Sequence, residues 1–148
     1  MGELTEHYRR LERMYLAAPV NNQLFENNIT LKVSKENAEL TLKILTKYFH
    51  PLNAIHGSIY FKLLDDAAFF AVNSIVEDAI VYTVSFNTHI LRPVNSGIIR
   101  SIGHLKFKSK SLYVAESTLY DDSNNVVGMG TGNFLKSKIQ LTEEIGYV

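Results

Sequence analysis

From His56 to Ser74 the chain reads His-Gly-Ser-Ile-Tyr-Phe-Lys-Leu-Leu-Asp-Asp-Ala-Ala-Phe-Phe-Ala-Val-Asn-Ser, and no other stretch limits the fold as strongly. The spacing predicts a helix over residues 57–75, about five turns long, opened by Gly57-Ser58 and apolar round most of its circumference. A helix that is apolar on nearly all sides is buried. Its charges are confined to Lys62 and the adjacent pair Asp65-Asp66. Two neighbouring carboxylates on such a helix are hard to explain as packing alone, because an unpaired buried charge is costly or forces a large pKa shift. They are the first place to look for chemistry.

Successive residues of a helix are turned by about 100°. Lys62, Asp65-Asp66, Phe69 and Asn73 therefore form one narrow polar stripe, which must meet water, a ligand or a second chain. Lys62 and Asp66 make an i,i+4 ion pair, which gives Asp66 a structural role and leaves Asp65 for a site. Phe69, on the stripe, is a candidate lining for an acyl pocket, whereas Tyr60, Phe61 and Phe70 read as core. His56 precedes Asp65 by nine residues, about 180° round the axis and roughly 13 Å along it. One helix cannot bring both to a single reacting atom. If both are catalytic, they belong to two sites or meet across a dimer.

Around this helix the sequence predicts an α+β domain. Leu4, Tyr8, Leu11, Met14 and Tyr15 fall at helical spacing, with Glu6, Arg9, Arg10, Glu12 and Arg13 on the other face and His7 on the outside, so residues 1–20 form an amphipathic helical extension. Alternating runs at 29–33 and 39–45 are strands of a hairpin. Four further strands follow the central helix, at 80–91, 97–108, 112–120 and 126–135, separated by turn-forming residues, and three or four of them in succession are expected to run as an antiparallel meander. The only element apolar enough to fill the concave face of such a sheet is the central helix. At 148 residues the chain is one domain, 1–148, with its core over 28–136.

Composition removes several function classes. Fifteen basic residues balance fifteen acidic ones, so no bulk field attracts nucleic acid or an anionic membrane. There is no cysteine, which rules out a disulfide framework, thiol nucleophiles and cysteine-held zinc and suits a reducing, cytoplasmic setting. No two histidines share metal-ligand spacing with a carboxylate, so no metal is expected. No window approaches the ~18–20 apolar residues of a membrane span.

The pattern His56-Gly57-Ser58 with Leu63-Leu64-Asp65-x-Ala67, followed by Thr83-x-x-x-Asn87 and Arg92-Pro93, resembles the hotdog-fold acyl-CoA thioesterases of the phenylacetate-degradation type, whose motif is His-Gly-Gly then Leu-x-Asp. The likeness covers about residues 28–136. It implies a hotdog fold, a curled antiparallel sheet wrapped around the central helix. It also implies that the Gly57 N–H polarises the thioester carbonyl and that Asp65 of the other subunit acts as general base or nucleophile. Thr83 falls where relatives carry a hydroxyl that positions the attacking water. His56 is either an acid–base group or a loop-holding residue that leaves the work to Gly57. The second glycine of the motif is Ser58 here, a helix cap or ligand contact. Relatives carry an asparagine in the preceding loop, and here either Asn53 takes that part from a shifted position or His50 replaces it.

Coenzyme A enters as part of the substrate, with no separate cofactor. Lys106, Lys108 and Lys110, at alternate positions of an extended hairpin, are either a solvated edge or a cation patch for its phosphates. Arg92 is a second phosphate candidate. A homodimer or homotetramer is expected, because the polar stripe needs a partner and a curled six-stranded sheet keeps a pairing edge. Two rival readings are a non-catalytic acyl-CoA-binding module and a hydratase or dehydratase of the same fold.

Overall fold

The computed structural model describes residues 2–148, with side chains from residue 4 onward. Helix α1 spans Gly2–Ala17 and helix α2 spans Gly57–Asn73. The strands are β1 Ile29–Ser34, β2 Asn37–Lys43, β3 Ala79–Ile90, β4 Ile98–Lys108, β5 Leu112–Tyr120 and β6 Val126–Gln140. They form one antiparallel sheet in the order β1-β2-β4-β5-β6-β3. The sheet curls around α2, the hotdog arrangement expected from the sequence. Among the described residues no helix is long and apolar enough to cross a membrane.

Of the three or four strands expected to follow one another as a meander, β4, β5 and β6 do so. β3 lies at the far edge, paired with β6, because α2 crosses beneath the sheet and delivers the chain to the opposite side. β6 also runs five residues beyond the predicted end, to Gln140.

Helix and sheet are locked at the level of the carboxylates. Gly103 of β4 faces the Ala67 carbonyl so closely that an added Cβ would lie 2.2 Å from it, so only glycine admits α2 here. Ser101 Oγ donates to the Leu63 carbonyl at 2.8 Å and Ser117 Oγ to the Leu64 carbonyl at 2.7 Å, both fully inside. These bonds fix the turn just before Asp65 against two strands and satisfy hydroxyls that would otherwise be buried at a cost.

The two sheet edges are treated differently. At β1, Arg9 Nη2 donates to the Val33 carbonyl at 2.9 Å and the Val33 N–H donates to Glu12 Oε2 at 2.8 Å. The charged face of α1 thus covers that edge, as edge strands require. β3 has a strand neighbour on one side alone, and its Tyr82 and Val84 side chains are 48% and 55% exposed.

Three sequence expectations are corrected. His7 is on the inner side of α1, 2% exposed, with Nδ1 2.7 Å from the Tyr147 hydroxyl and Nε2 2.9 Å from the Asn73 carbonyl. Because that carbonyl can only accept, Nε2 carries the proton and Nδ1 accepts from Tyr147. Asn73 does not continue the polar stripe to a partner. It is fully buried, donating to the Val76 and Ala79 carbonyls and accepting from the Val81 N–H, and so brackets the turn from α2 into β3. Phe61 differs as well: it is 44% exposed and rests edge-on against Phe86.

Candidate active site

α2 presents functional groups at two levels. At its start, His56 is the N-cap: its Nδ1 accepts from the Ser58 N–H at 3.0 Å and lies 2.8 Å from the Ser58 hydroxyl. Nδ1 is therefore the bare acceptor nitrogen, and the cap is supplied by the histidine while Ser58 supports it. Gly57 occupies the first helical position, where an N–H has no intrahelical acceptor and the positive end of the helix dipole gathers. A cavity of about 300 Å³ opens onto it, lined also by His50, Tyr60, Ile90, Arg92 and Pro93. The Tyr60 hydroxyl donates to the Arg92 carbonyl at 2.6 Å and holds the β3–β4 connection against the helix.

Two turns further on, Asp65 and Asp66 diverge as their separation of about 100° requires. Asp66 accepts from Lys62 Nζ at 2.8 Å and from the Tyr15 hydroxyl at 2.7 Å. Asp65 takes neither partner. Its Oδ1 accepts a 2.8 Å hydrogen bond from Thr83 Oγ1 of β3. Burial pushes the Asp65 carboxyl up to about 6; the Thr83 bond opposes that rise, the neighbouring Asp66 charge adds to it, and Lys62 lowers it. A carboxylate with a pKa near the working pH is suited to take and return a proton. Burial and Asp66 likewise raise the Tyr15 phenol well above its ordinary value, keeping it a hydrogen-bond donor.

Asp65 and Thr83 open into a second cavity of about 440 Å³, walled largely by hydrocarbon and aromatic side chains including Phe69, Phe70 and Ile80. The structure thus brings Asp65, Thr83 and Phe69 together, and separately Gly57, His50 and Arg92. It does not bring the two groups together within one chain. Gly57 and Asp65 are eight residues apart, about 12 Å along the axis.

The remaining sequence candidates are placed elsewhere. Asn53 is exposed, in a left-handed conformation at φ 66° in the turn before α2, and His50 rather than Asn53 lines the Gly57 cavity. Lys106 lies 3.4 Å from Glu116 and Lys108 lies 3.8 Å from Glu36. A register shift between Leu105 and Phe107 interrupts the alternation that would have set the three lysines on one face, and none of Lys106, Lys108 and Lys110 lines either cavity. No local pattern marks Tyr15 as part of the site, because its contact with Asp66 spans 51 residues. Among the described residues no three His, Asp or Glu side chains converge as a metal-binding group.

A sheet curled round one helix, with a backbone donor at the helix start and a half-buried carboxylate at its middle, defines a hotdog domain of thioesterase type. The chain belongs to the thioesterase superfamily, whose sequence model matches residues 52–127, about half its length and including all of α2. Solved structures share the fold. The PaaI protein of E. coli, from the phenylacetic acid degradation operon, aligns with a TM-score of 0.82 at 16% identity over 93% of this chain and 98% of that one. A thioesterase from Haemophilus influenzae aligns at 0.76 with 16% identity over 88% and 90% of the two chains. A phenylacetic acid degradation-related protein from Ralstonia eutropha gives 0.75 at 19% identity over 87% and 98%. No curated protein sequence matches this chain.

Proposed function

We propose that the protein is an acyl-CoA thioesterase that works as a homodimer or larger homo-oligomer, with each active site built from Gly57 of one protomer and Asp65 of its partner. The observation that carries this reading is the isolation of the Asp65–Thr83 pair: a half-buried carboxylate with a raised pKa, free of any cation of its own, at the head of an apolar cavity. β3 supports the oligomer, since an exposed apolar edge strand is one that another sheet readily pairs with.

The reaction follows from these groups. The substrate's carbonyl oxygen accepts from the Gly57 N–H, and water attacks the carbonyl carbon as ionised Asp65 takes its proton. The new C–O bond forms while the carbonyl π pair moves to oxygen, and the oxyanion is held by Gly57; one such donor is worth about 3–4 kcal/mol. Collapse expels the thiolate of coenzyme A, which receives the proton from Asp65, leaving a carboxylic acid and a free thiol. In the alternative route Asp65 itself attacks, forming an anhydride that water then opens. Thr83 orients the carboxylate in either route, His56 holds the helix start, and Phe69 borders the acyl group. Arg92, at the mouth of the Gly57 cavity, is the first candidate for the phosphates of coenzyme A. The ion pairs of Lys106 and Lys108 favour the solvated-edge reading of that hairpin.

The test is thiol release from a panel of acyl-CoAs by wild type, Asp65→Ala and Asp66→Ala. Turnover by wild type, its loss by at least ~10³-fold in Asp65→Ala, and retention of most of it in Asp66→Ala are expected. Turnover that survives Asp65→Ala unchanged contradicts the mechanism, and tight binding without turnover in wild type identifies a binding module instead.

A further inference from the structure

We propose that the two terminal segments of this chain close the Asp65 cavity and set the length of acyl group it takes, a hydrocarbon chain of medium length. The inference rests on the thioesterase reading of the site and adds its substrate class.

The cavity has a direction. Asp65 and Thr83 stand at one level, and Phe69, one turn further along α2, and Ile80, three residues earlier on β3, both line it. These two elements run in opposite senses past the cavity, so it extends from the carboxylate toward the C-terminal half of α2. Its remaining walls come from outside the α2–β3 frame: Met14, Tyr15 and Ala18 from α1 and the turn after it, Ile139 at the end of β6, and Ile145 beyond it. Of the polar side chains at its edge, Asp66 is bonded by Lys62 and Tyr15 and Asn21 Nδ2 by the Tyr15 carbonyl at 2.7 Å, while Asn21 Oδ1, though without a hydrogen-bond partner, is buried out of a ligand's reach. A polar end on the acyl group would lose its water there without replacement. At about 30 Å³ for each water-sized group, about 440 Å³ holds on the order of a dozen, or an acyl chain of about eight to ten carbons once imperfect packing is allowed for.

The closing wall is fastened. The Tyr147 hydroxyl donates to His7, His7 donates to the Asn73 carbonyl, and Arg13 Nε donates to the Val148 carbonyl at 2.7 Å. Arg10 lies over the Tyr147 ring. Gly146 turns the backbone back onto α1 at φ 93°, a conformation that favours glycine, and an added Cβ there would lie in ordinary van der Waals range of Met14 and Ala17. Ile145, at the rim and 38% exposed, is thus held by the residues that follow it, and α1 is itself held by Tyr15 on Asp66 and by Arg9 and Glu12 on β1. A fixed wall discriminates chain lengths, whereas a loose one would adapt.

The experiment compares kcat/KM for acetyl- through palmitoyl-CoA in wild type, Ile145→Ala and Ile145→Trp. Wild type is expected to peak at medium length, at least tenfold above both extremes; Trp moves the peak to shorter chains and Ala to longer ones. Misfolding lowers every substrate alike and cannot move the peak in opposite directions from one position. A profile that is flat, or that ignores both substitutions, overturns the inference. Calorimetric binding of the same acyl-CoAs to Asp65→Asn reads the cavity without turnover. Length-dependent, Ile145-sensitive binding by a protein that hydrolyses none of them sustains the length gauge and overturns the catalytic reading. Hydrolysis and binding that are both indifferent to length overturn the gauge alone.

Discussion

At its start α2 offers a backbone donor in a small, partly polar cleft; two turns on, it offers a carboxylate sunk in an apolar cavity. The first level has Gly57 and Arg92 but no carboxylate to activate water. The second has the carboxylate and an apolar cavity, but no helix-start donor that could receive an oxyanion. Each lacks what the other holds, and about 12 Å of rigid helix keeps them apart. The sheet edges carry the same contrast. β1 is covered by Arg9 and Glu12 while β3 is left open, and under the proposed reading the open side is the one from which a second copy brings the missing half.

The two levels can be broken separately. Gly57→Pro deletes the donor with little harm to the helix, because proline suits the first helical position and His56, at φ −63° and ψ 147°, already has the extended backbone that precedes proline. The Cβ meets only the flexible tip of Ile90 at 3.0 Å. Steady-state kinetics should show kcat reduced ~10²- to 10³-fold with thermal stability nearly unchanged; full activity would remove Gly57 from the site.

The Asp65 level should set the acid limb of the pH profile. The base acts ionised, so kcat/KM should fall below pH about 6, approaching tenfold per unit. Asp66→Asn removes a charge that raises Asp65 and frees Lys62 to favour its ionised form, so the limb should move to lower pH. A limb that stays in place would assign it to another group.

The smallest effect is on stability. Asp65 holds its proton more tightly folded than unfolded, from 3.8 up to about 6, so across that window the native state binds more protons and stability declines as pH rises. Above pH about 6 that cost is fully present. Asp65→Asn should therefore stabilise the fold at pH 7.5 by about 1 kcal/mol, after discounting for solvent screening, and give no gain near pH 4. Thermal unfolding at the two pH values reads the difference.

Much of this was legible in the sequence because it is written in local period. The all-round apolar helix, six alternating strands and the divergence of Asp65 from Asp66 all follow from spacing over a few residues. What was not legible depends on distant contacts. The displacement of β3 to the far edge follows from where α2 crosses the sheet. His7 looked like an outer-face residue until Tyr147, 140 residues away, supplied its partner. By helical spacing Asn73 extends the polar stripe, and only the turn into β3 shows it as a buried bracket. The alternation of Lys106, Lys108 and Lys110 failed at a register shift that no period announces.

The shared site is tested most directly by mixing its halves. Asp65→Ala and Gly57→Pro are each co-expressed alone and then together, and thiol release is measured on the purified oligomers. In a mixed dimer one site joins the intact Gly57 of the first variant to the intact Asp65 of the second, while the other site loses both. Random pairing within a two-fold dimer should restore about a quarter of wild-type activity from two nearly inactive proteins. A mixture no more active than its components would place both groups' work within a single chain and contradict the shared site.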